Sequence, residues 1–214
     1  MKRCVLFLVI ALLLLSCAHQ KVSYLPIAYK ELLFQKKDNV FSLWWKGKVD
    51  IKTSNGEMSA NIIVVAQKDP LCIRVELTNW LCGTIAYGFI KKGRFVFLSL
   101  KEKKAYIGKL PAEIKQKYIW AIVRTAPVDI DASCLVFQDG KIMLITKKFK
   151  ISFKDYFLRK STIFAKHISL LVTDTINLHA KVKRVEFNKD IPLQLFTPVI
   201  PSGFQILKYQ VPTL

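Results

Sequence analysis

The sequence predicts a mainly β fold, built on one large antiparallel sheet with helices packed against it. Six consecutive segments alternate apolar and polar side chains with period two, and short turns such as Ser54-Asn55-Gly56 and Lys92-Gly93 separate them. This alternation is typical of antiparallel strands that have one buried face and one face in water. A sheet of this size that meets no second sheet must curl around helices or around a ligand.

Twelve strands are predicted in two groups. The first six segments cover residues 43–51, 58–66, 71–77, 84–90, 94–100 and 104–107. The second group covers residues 133–138, 141–146, 149–153, 163–172, 176–186 and 204–209. Because the turns between the first six are short, we expect these strands to form a meander.

Two helices are predicted from apolar residues at helical spacing. Residues 26–38 carry the first stripe, with Ala28, Leu32 and Leu33. Residues 111–124 carry the second, and Ala126-Pro127 ends it. The second stripe consists of Ile114, Tyr118, Ala121 and Ile122. Each apolar stripe needs a surface to cover, and the apolar face of the sheet is the available one.

The N-terminus decides the compartment. Lys2 and Arg3 precede an apolar run of eleven residues, 5–15, which is too short for a transmembrane helix but has the length of a signal-peptide core. The following Leu14-Leu15-Ser16-Cys17 resembles the lipobox of bacterial lipoproteins. The resemblance implies acylation of Cys17 and cleavage before it. The alternatives are an ordinary secretory peptide and an uncut membrane anchor.

The predicted organisation follows from that cleavage. A signal peptide of residues 1–16 leaves 198 of the 214 residues: a lipidated tether, 17–24, and one domain, 25–214. Its acyl chains would anchor the protein to a membrane without a transmembrane helix. By resemblance, Ala18 after the cysteine, in place of Asp, indicates the periplasmic face of the outer membrane.

The chain is strongly basic. Removing Lys2 and Arg3 lowers the formal net charge from +19 to +17. Export argues against a nucleic-acid partner, so an anionic lipid surface or a phosphate-bearing envelope polymer is the expected counterpart. The alternative is a solvated basic exterior without a partner.

Cysteine and histidine usage indicates neither a disulfide framework nor an enzyme. Cys72, Cys82 and Cys134 cannot all pair with one another, and we predict no essential disulfide. The histidines, His167 and His179 among them, stand outside any recognised catalytic or metal-binding motif. The prediction is a protein without catalytic residues, metal or cofactor.

A resemblance to the LolB branch of the lipoprotein-carrier family rests on one segment above all. Leu77-Thr78-Asn79-Trp80-Leu81-Cys82-Gly83-Thr84 is similar to that family's Leu-Thr-Asn-Pro-Leu-Gly-Ser-Thr, although Trp80 and Cys82 depart from it. Tyr106-Ile107-Gly108 also resembles LolB-like proteins. The order of predicted helices and strands on an acylated N-terminus resembles the same family.

The resemblance implies an unclosed, strongly curved half-barrel whose apolar cavity is plugged by helices. The implied function is that of a monomeric outer-membrane lipoprotein that receives acylated lipoproteins or lipids from a periplasmic carrier and inserts them into the membrane. Trp80 and Leu81 would form a membrane-insertion loop. The candidate cavity-lining residues are Val49, Ile51, Ile62, Val64, Ile73, Val75, Ile85, Tyr87, Phe95, Phe97, Ile114, Tyr118 and Ile122.

Two alternatives stay open at this stage. The candidate lining residues would serve equally well as an ordinary packed core. The chain would then be a structural or partner-binding outer-membrane lipoprotein in envelope assembly, with a LolB-like domain but no cargo.

Overall fold

The computed structural model describes residues 39–54, 56–111, 114–159, 162–172 and 176–209. The predicted signal peptide, Cys17, the tether and the helix at 26–38 lie outside these residues. In the described part of the chain, no helix combines the length and the apolar character needed to cross a membrane.

Twelve strands form one sheet, and each lies at or close to a predicted segment. They are β1 (Ser42–Thr53), β2 (Gly56–Gln67), β3 (Cys72–Asn79), β4 (Gly83–Lys91), β5 (Arg94–Ser99), β6 (Lys104–Lys109), β7 (Leu135–Gln138), β8 (Lys141–Ile145), β9 (Phe149–Arg159), β10 (Thr162–Val172), β11 (Ile176–Phe187) and β12 (Gln205–Tyr209). Their order across the sheet is β12-β6-β5-β4-β3-β2-β1-β11-β10-β9-β8-β7.

The sheet consists of two meanders joined side by side. Strands β1 to β6 form the predicted first meander, and β7 to β11 form the second. They meet where β1 pairs with β11 in antiparallel register, with Val49 opposite Ala180. The final strand, β12, returns to the far edge and pairs in parallel with β6. The described strands therefore form an open sheet with β7 and β12 at its edges.

A single α-helix in the described part, α1 (Gln116–Arg124), packs against one face of the sheet. Its residues share a core cluster with side chains from β1, β2 and β3 on one side and β8, β9 and β10 on the other. Strands lie about 4.8 Å apart and a helix is about 10 Å wide. The sheet must therefore curve around α1, which defines a concave face toward the helix and a convex face away from it.

The helix begins later than predicted. The prediction placed its start at residue 111, but the residue before α1, Lys115, has an extended backbone with ψ of 141°. Pro111 instead follows the end of β6 and accepts a hydrogen bond from the Ile114 amide at 3.0 Å. The helix ends at Arg124, as predicted, and Thr125 caps it just before Ala126-Pro127.

The convex face is not uniformly polar, which corrects the expectation that one face of the whole sheet meets water. Under β4, β5 and β6 it carries a second apolar cluster around Phe89, Leu98 and Ala105. The segment between β11 and β12 covers this cluster with Ile200 and Phe204. The convex face therefore has an apolar half under β4 to β6, whereas elsewhere it carries charged and polar residues together with a few apolar ones, such as Trp44 and Val65.

Gly47 allows β11 to approach β1 closely. The register shifts between Lys46 and Gly47, and a Cβ placed on Gly47 would lie 2.2 Å from the Lys181 carbonyl oxygen. We therefore expect Gly47→Ala to force two backbones apart and to lower the free energy of unfolding by about 3 kcal/mol. Urea denaturation followed by tryptophan fluorescence would measure it.

Gly88 provides the matched control for this prediction. A Cβ at Gly88 would meet Val75 Cβ at an ordinary 3.7 Å, so Gly88→Ala should change stability by less than about 1 kcal/mol. If Gly47→Ala were as stable as Gly88→Ala, the close approach of β11 to Gly47 would be contradicted.

Candidate functional site

The concave face is the candidate site, because it gathers most of the predicted lining residues. Val49, Ile62, Val64 and Ile73 are all buried there, in the same cluster as Ile119 and Trp120 of α1. Period-two alternation explains this arrangement, since cross-strand partners such as Val64 and Val75 lie on the same face. This part of the face is a closely packed core beneath the helix.

A second group of predicted lining residues remains only partly buried. These side chains pack against the edge of the core without being enclosed by it. The group comprises Ile51, Val75 and Ile85 from the sheet and Ile114, Tyr118 and Ile122 from the segment that contains α1. The buried residues of α1 are Ile119, Trp120, Ala121, Val123 and Arg124. Ala121 of the predicted helical stripe is therefore part of the packed core, whereas the other three members of the stripe lie at its border.

The concave face continues past the core as an apolar strip on β4, β5 and β6. One cross-strand row runs from Val75 through Gly88 and Phe97 to Tyr106. Gly88 contributes no side chain, and the Phe97 side chain is 39% exposed. The ring centroids of Phe97 and Tyr106 are 6.2 Å apart. The result is a shallow apolar depression over Gly88, which we call the Gly88 trough.

Phe95 and Tyr87 differ in their positions. Phe95 lies opposite Ile90 and Gly108 on the concave face, and its ring occupies the space that a Cβ on Gly108 would need. Tyr87 lies opposite Glu76 on the convex face and belongs to the second apolar cluster. Tyr87 is thus separated from the other predicted lining residues by the thickness of the sheet.

The C-terminal end of α1 is attached firmly to the sheet. The Trp45 indole Nε1 donates a hydrogen bond to the Val123 carbonyl at 2.9 Å. Arg124, only 3% exposed, donates from Nη1 to the Ile163 carbonyl at 2.7 Å, and its guanidinium lies 4.8 Å from the Phe187 ring centroid. These buried polar groups satisfy one another, which makes this attachment costly to break.

The residue after the helix, Thr125, is conformationally strained. Its φ of 58° lies in the left-handed region, which is rare for a β-branched side chain. Within the described residues, its buried hydroxyl has no hydrogen-bond partner. Its carbonyl accepts a hydrogen bond from the Ala165 amide at 2.7 Å. Strain of this kind occurs where a segment is held by its surroundings, and it is common at hinges and switches.

The N-terminal end of α1 has a polar attachment at the surface. Lys117 Nζ lies 3.0 Å from Asp131 Oδ2. This hydrogen bond raises the pKa of Lys117 and lowers the pKa of Asp131. Because a surface ion pair holds an element only weakly, the two ends of α1 differ in how they are anchored.

The predicted insertion loop lies at the turn between β3 and β4. Trp80 is 83% exposed and Leu81 is 69% exposed. The Asn79 side chain shapes the turn by accepting a hydrogen bond from the Leu81 amide at 2.9 Å, and Gly83 has a positive φ of 69°. The two apolar side chains thus point into solvent instead of packing on the sheet.

The cysteines within the described residues are all free. Cys72 is buried, Cys82 is exposed beside the Trp80-Leu81 turn, and Cys134 is partly buried. Cys72 lies opposite Lys91, at the far end of β3 from this turn. The expectation of a turn centred on Asn79-Trp80, which would place Cys72 opposite residues near 87 or 88, is wrong, because Asn79 pairs with Gly83 and the turn is centred near Leu81.

The structure brings together two histidines that lie on different predicted strands. His167 on β10 and His179 on β11 lie side by side on the convex face, with ring centroids 5.4 Å apart. Alternation indicates only that His179 falls in the polar phase of its strand, and the contact with His167 follows from the register between β10 and β11. In the described ranges, no group of three or more His, Cys, Asp or Glu residues is placed to hold a metal ion.

No known protein family matches the chain by sequence, and no curated protein matches it. Solved structures with a similar arrangement include an uncharacterized conserved protein from Thermus thermophilus, at 14% identity and a TM-score of 0.47, covering 85% of this chain and 99% of that chain. A protein from Vibrio parahaemolyticus described as an outer membrane lipoprotein-sorting protein domain is 6% identical, with a TM-score of 0.47, and covers 75% of this chain and 91% of that chain.

A LolA superfamily protein from Nitrosomonas europaea is also similar. It is 9% identical, with a TM-score of 0.47, and the match covers 78% of this chain and 95% of that chain. The superfamily that the Leu77–Thr84 segment resembles is thus represented among the similar structures. At these identities and TM-scores, the likenesses by themselves assign no substrate or activity.

Proposed function

We propose that the chain is an outer-membrane lipoprotein that binds acyl chains on its concave face and helps to insert lipoproteins into the membrane. The observation that carries the proposal is the apolar strip around the Gly88 trough. It adjoins the packed core and lies on the same strand, β4, that leads to the exposed Trp80-Leu81 turn. From Gly88 to Gly83 the distance along the strand is about 16 Å.

The chemistry of the strip suits acyl chains. It consists of aromatic and aliphatic side chains, and such a surface binds a chain by removing apolar area from water. Each buried methylene contributes about 0.8 kcal/mol. No bond is made or broken, so transfer from carrier to membrane requires only that each successive site hold the chains more favourably.

Additional space for cargo would come from movement of α1. The core beneath the helix is closely packed, so a complete acyl chain needs part of the helix to lift. The strained Thr125 and the firm contacts of Trp45 and Arg124 mark the C-terminal end as the hinge. The weakly attached N-terminal end at Lys117 would then swing away and expose more of the concave face.

The exposed turn supplies the contact with the bilayer. Tryptophan is favoured at the boundary between water and lipid, where its ring is apolar and its N–H remains hydrated. A protruding Trp80-Leu81 pair would bring the end of β4 to the membrane surface. Cargo chains released from the concave face would then cross little water.

The direct test is binding of a fluorescent acylated peptide to the full chain carrying Cys17→Ala. We expect saturable binding near one peptide per chain in fluorescence titration, and none for the same peptide without its acyl group. A well-folded protein that does not distinguish the two peptides would contradict the carrier function. That outcome would favour the alternative of a partner-binding lipoprotein without cargo.

Gly88→Leu is the sharpest variant for locating the site. The new side chain would fill the trough without backbone strain, because a Cβ is tolerated there. We expect acyl-peptide affinity to fall about tenfold, with stability in urea nearly unchanged. Enlarging the buried Val64 or Ile73 would be less informative, since overpacking a closed core destabilises the fold.

The matched control for Gly88→Leu is Asn61→Leu, which adds a leucine at an exposed position of strand β2. It lies on the convex face opposite Lys48 and should leave acyl-peptide affinity unchanged. Equal losses for both variants would mean that the Gly88 trough is not where the chains bind.

A further inference from the structure

A polar groove lies on the convex face of β8 to β11, on the opposite side of the sheet from the Gly88 trough. Its volume is about 420 Å³. Unlike the apolar half of the convex face, it is lined by hydroxyl, imidazole, ammonium and carboxylate groups. The lining residues are Lys141, Ser152, Lys154, Asp155, His167, Ser169 and His179.

Strand register aligns the positive charges of this region in one row. Lys141 lies opposite Lys154, which lies opposite His167. His167 in turn lies opposite Lys181, and Lys181 lies opposite Lys48. The row thus crosses five neighbouring strands at about 4.8 Å per strand. Cations at this spacing repel one another unless an anion is present between them.

The two histidines form the centre of the groove. His167 Nδ1 lies 3.3 Å from His179 Nε2, and His179 Nδ1 lies 2.9 Å from the Ser169 hydroxyl. Only one proton can lie between the two facing ring nitrogens. A second proton on the pair would place two N–H groups against each other, unless the rings turn toward an anion in the groove.

Few carboxylates balance these charges. Asp155 Oδ2 lies 3.6 Å from His167 Nε2. Asp50, opposite His179 on β1, accepts a hydrogen bond from the Ser59 hydroxyl. The groove and its surroundings therefore present more positive than negative groups, with the ammonium groups of Lys141 and Lys154 at its wall.

Burial and the charges around His167 determine the direction in which its pKa is shifted. Burial lowers the pKa of His167, the Asp155 carboxylate opposes that effect, and His179, Lys181 and Lys166 lower the pKa further. An anion bound in the groove would favour the charged imidazole and so raise this pKa. Binding of the anion and protonation of His167 are therefore linked. Anion binding is accompanied by uptake of a proton, and the affinity for the anion rises as the pH falls.

The chain of contacts from Asp155 through the histidines to Ser169 resembles a relay that activates a serine nucleophile. Acyl-transfer chemistry also needs N–H donors for the developing oxyanion. Ser169 lies in a central strand, paired with Ser152 on one side and His179 on the other. The ladder occupies the backbone donors here, so the groove is suited to binding an anion and not to catalysis.

We propose that this groove is a binding site for a phosphate group, held by Lys141, Lys154 and the His167–His179 pair. The Ser152 and Ser169 hydroxyls add neutral hydrogen-bond partners. The same chemistry recognises free inorganic phosphate and the phosphomonoester headgroup of a lipid. The proposal is independent of acyl-chain binding, which involves the other face of the sheet.

The first experiment titrates inorganic phosphate into the full chain carrying Cys17→Ala, with NMR of the histidine ring resonances as the readout. We expect saturable shifts of both His167 and His179. Lys141→Gln combined with Lys154→Gln should weaken phosphate binding at least about tenfold. The charge-matched control, Lys101→Gln with Lys115→Gln, removes two exposed lysines far from the groove and should have no effect.

His167→Gln isolates the contribution of protonation at His167. Phosphate itself takes up a proton in the same pH range, so the informative quantity is the difference between the wild type and this variant. We expect the wild type to gain several-fold in phosphate affinity, relative to His167→Gln, between about pH 8 and about pH 6.

The second experiment distinguishes the two phosphate sources. Flotation assays would compare vesicles of phosphatidylcholine containing phosphatidic acid with vesicles containing equally anionic phosphatidylglycerol. A preference for phosphatidic acid that is lost in the Lys141→Gln, Lys154→Gln variant identifies a lipid headgroup. Saturable binding of inorganic phosphate without this preference identifies a free phosphate.

Two results would overturn the proposal. One is the absence of both saturable phosphate binding and a phosphatidic acid preference. The other is an equal loss of phosphate affinity in the Lys101→Gln, Lys115→Gln control, which would show that the loss comes only from the change in net charge. Neither result bears on the acylated-peptide titration.

Discussion

Replacing Cys17 by Ser is expected to move the chain from the membrane fraction to the soluble fraction and to abolish its labelling by a radioactive fatty acid. The reason is that stable anchoring of a protein without a transmembrane helix needs more than one acyl chain, since a single chain binds only marginally and reversibly. Loss of the predicted acylation site would remove all the chains at once. The effect should be close to all or none.

Two controls make the Cys17→Ser result specific. Cys82→Ser removes an exposed thiol elsewhere in the chain and should leave labelling and fractionation unchanged. A high-salt wash removes chains held only by the basic surface, because salt screens such contacts. If the Cys17→Ser variant still sediments with membranes after that wash, the prediction of a lipid anchor at Cys17 is wrong.

Replacing Leu81 by Glu is expected to slow the release of acylated cargo into liposomes by roughly a hundredfold, while cargo uptake stays near normal. Burying a leucine side chain in an apolar environment is worth about 1.5–3 kcal/mol, and a carboxylate at the same point resists leaving water. Because Leu81 is exposed at a turn, its replacement should not unfold the sheet. Trp80→Ala should act in the same direction but more weakly.

The matched control is Leu193→Glu, which introduces the same charge at an exposed leucine in the segment between β11 and β12. Transfer of a fluorescent acylated peptide to liposomes would be timed for both variants, with circular dichroism to verify folding. Release at the wild-type rate from Leu81→Glu would show that the turn has no part in delivery. Slow release from both variants would point to a general effect of charge.

Strand positions were predictable from sequence because alternation and turn residues act locally. Which face of β4 points toward the core was not predictable, because both faces of that strand carry apolar side chains. Ile85, Tyr87 and Phe89 form its more apolar phase, which suggested that they face the core. Tyr87 and Phe89 instead face the second cluster, whereas the concave phase carries the small Ala86 and Gly88. The cover over that cluster comes from a segment more than a hundred residues away in sequence.

The candidate site was predictable in composition but not in shape. Alternation correctly grouped Val49, Ile62, Val64 and Ile73 on one face, yet it contains no information on how closely a helix packs over them. The trough depends on the absence of a side chain at Gly88. In the hydrophobic pattern of the sequence, a glycine appears only as an interruption of the apolar residues and does not indicate a depression. The contact between His167 and His179 likewise depends on register, and register is set by partners that the sequence does not specify.

The strands become shorter toward both edges of the sheet, and this affects how neighbouring copies of the protein would contact one another. β1, β2 and β11 each contain 12 residues, but the edge strands β7 and β12 contain only 4 and 5. An exposed edge is a template on which another chain can add a strand, and short edges limit that risk. Copies tethered to one membrane would share an orientation and collide edge to edge more often than free molecules. If the chain is anchored as we propose, the short edges would therefore allow dense coverage of a membrane without lateral aggregation.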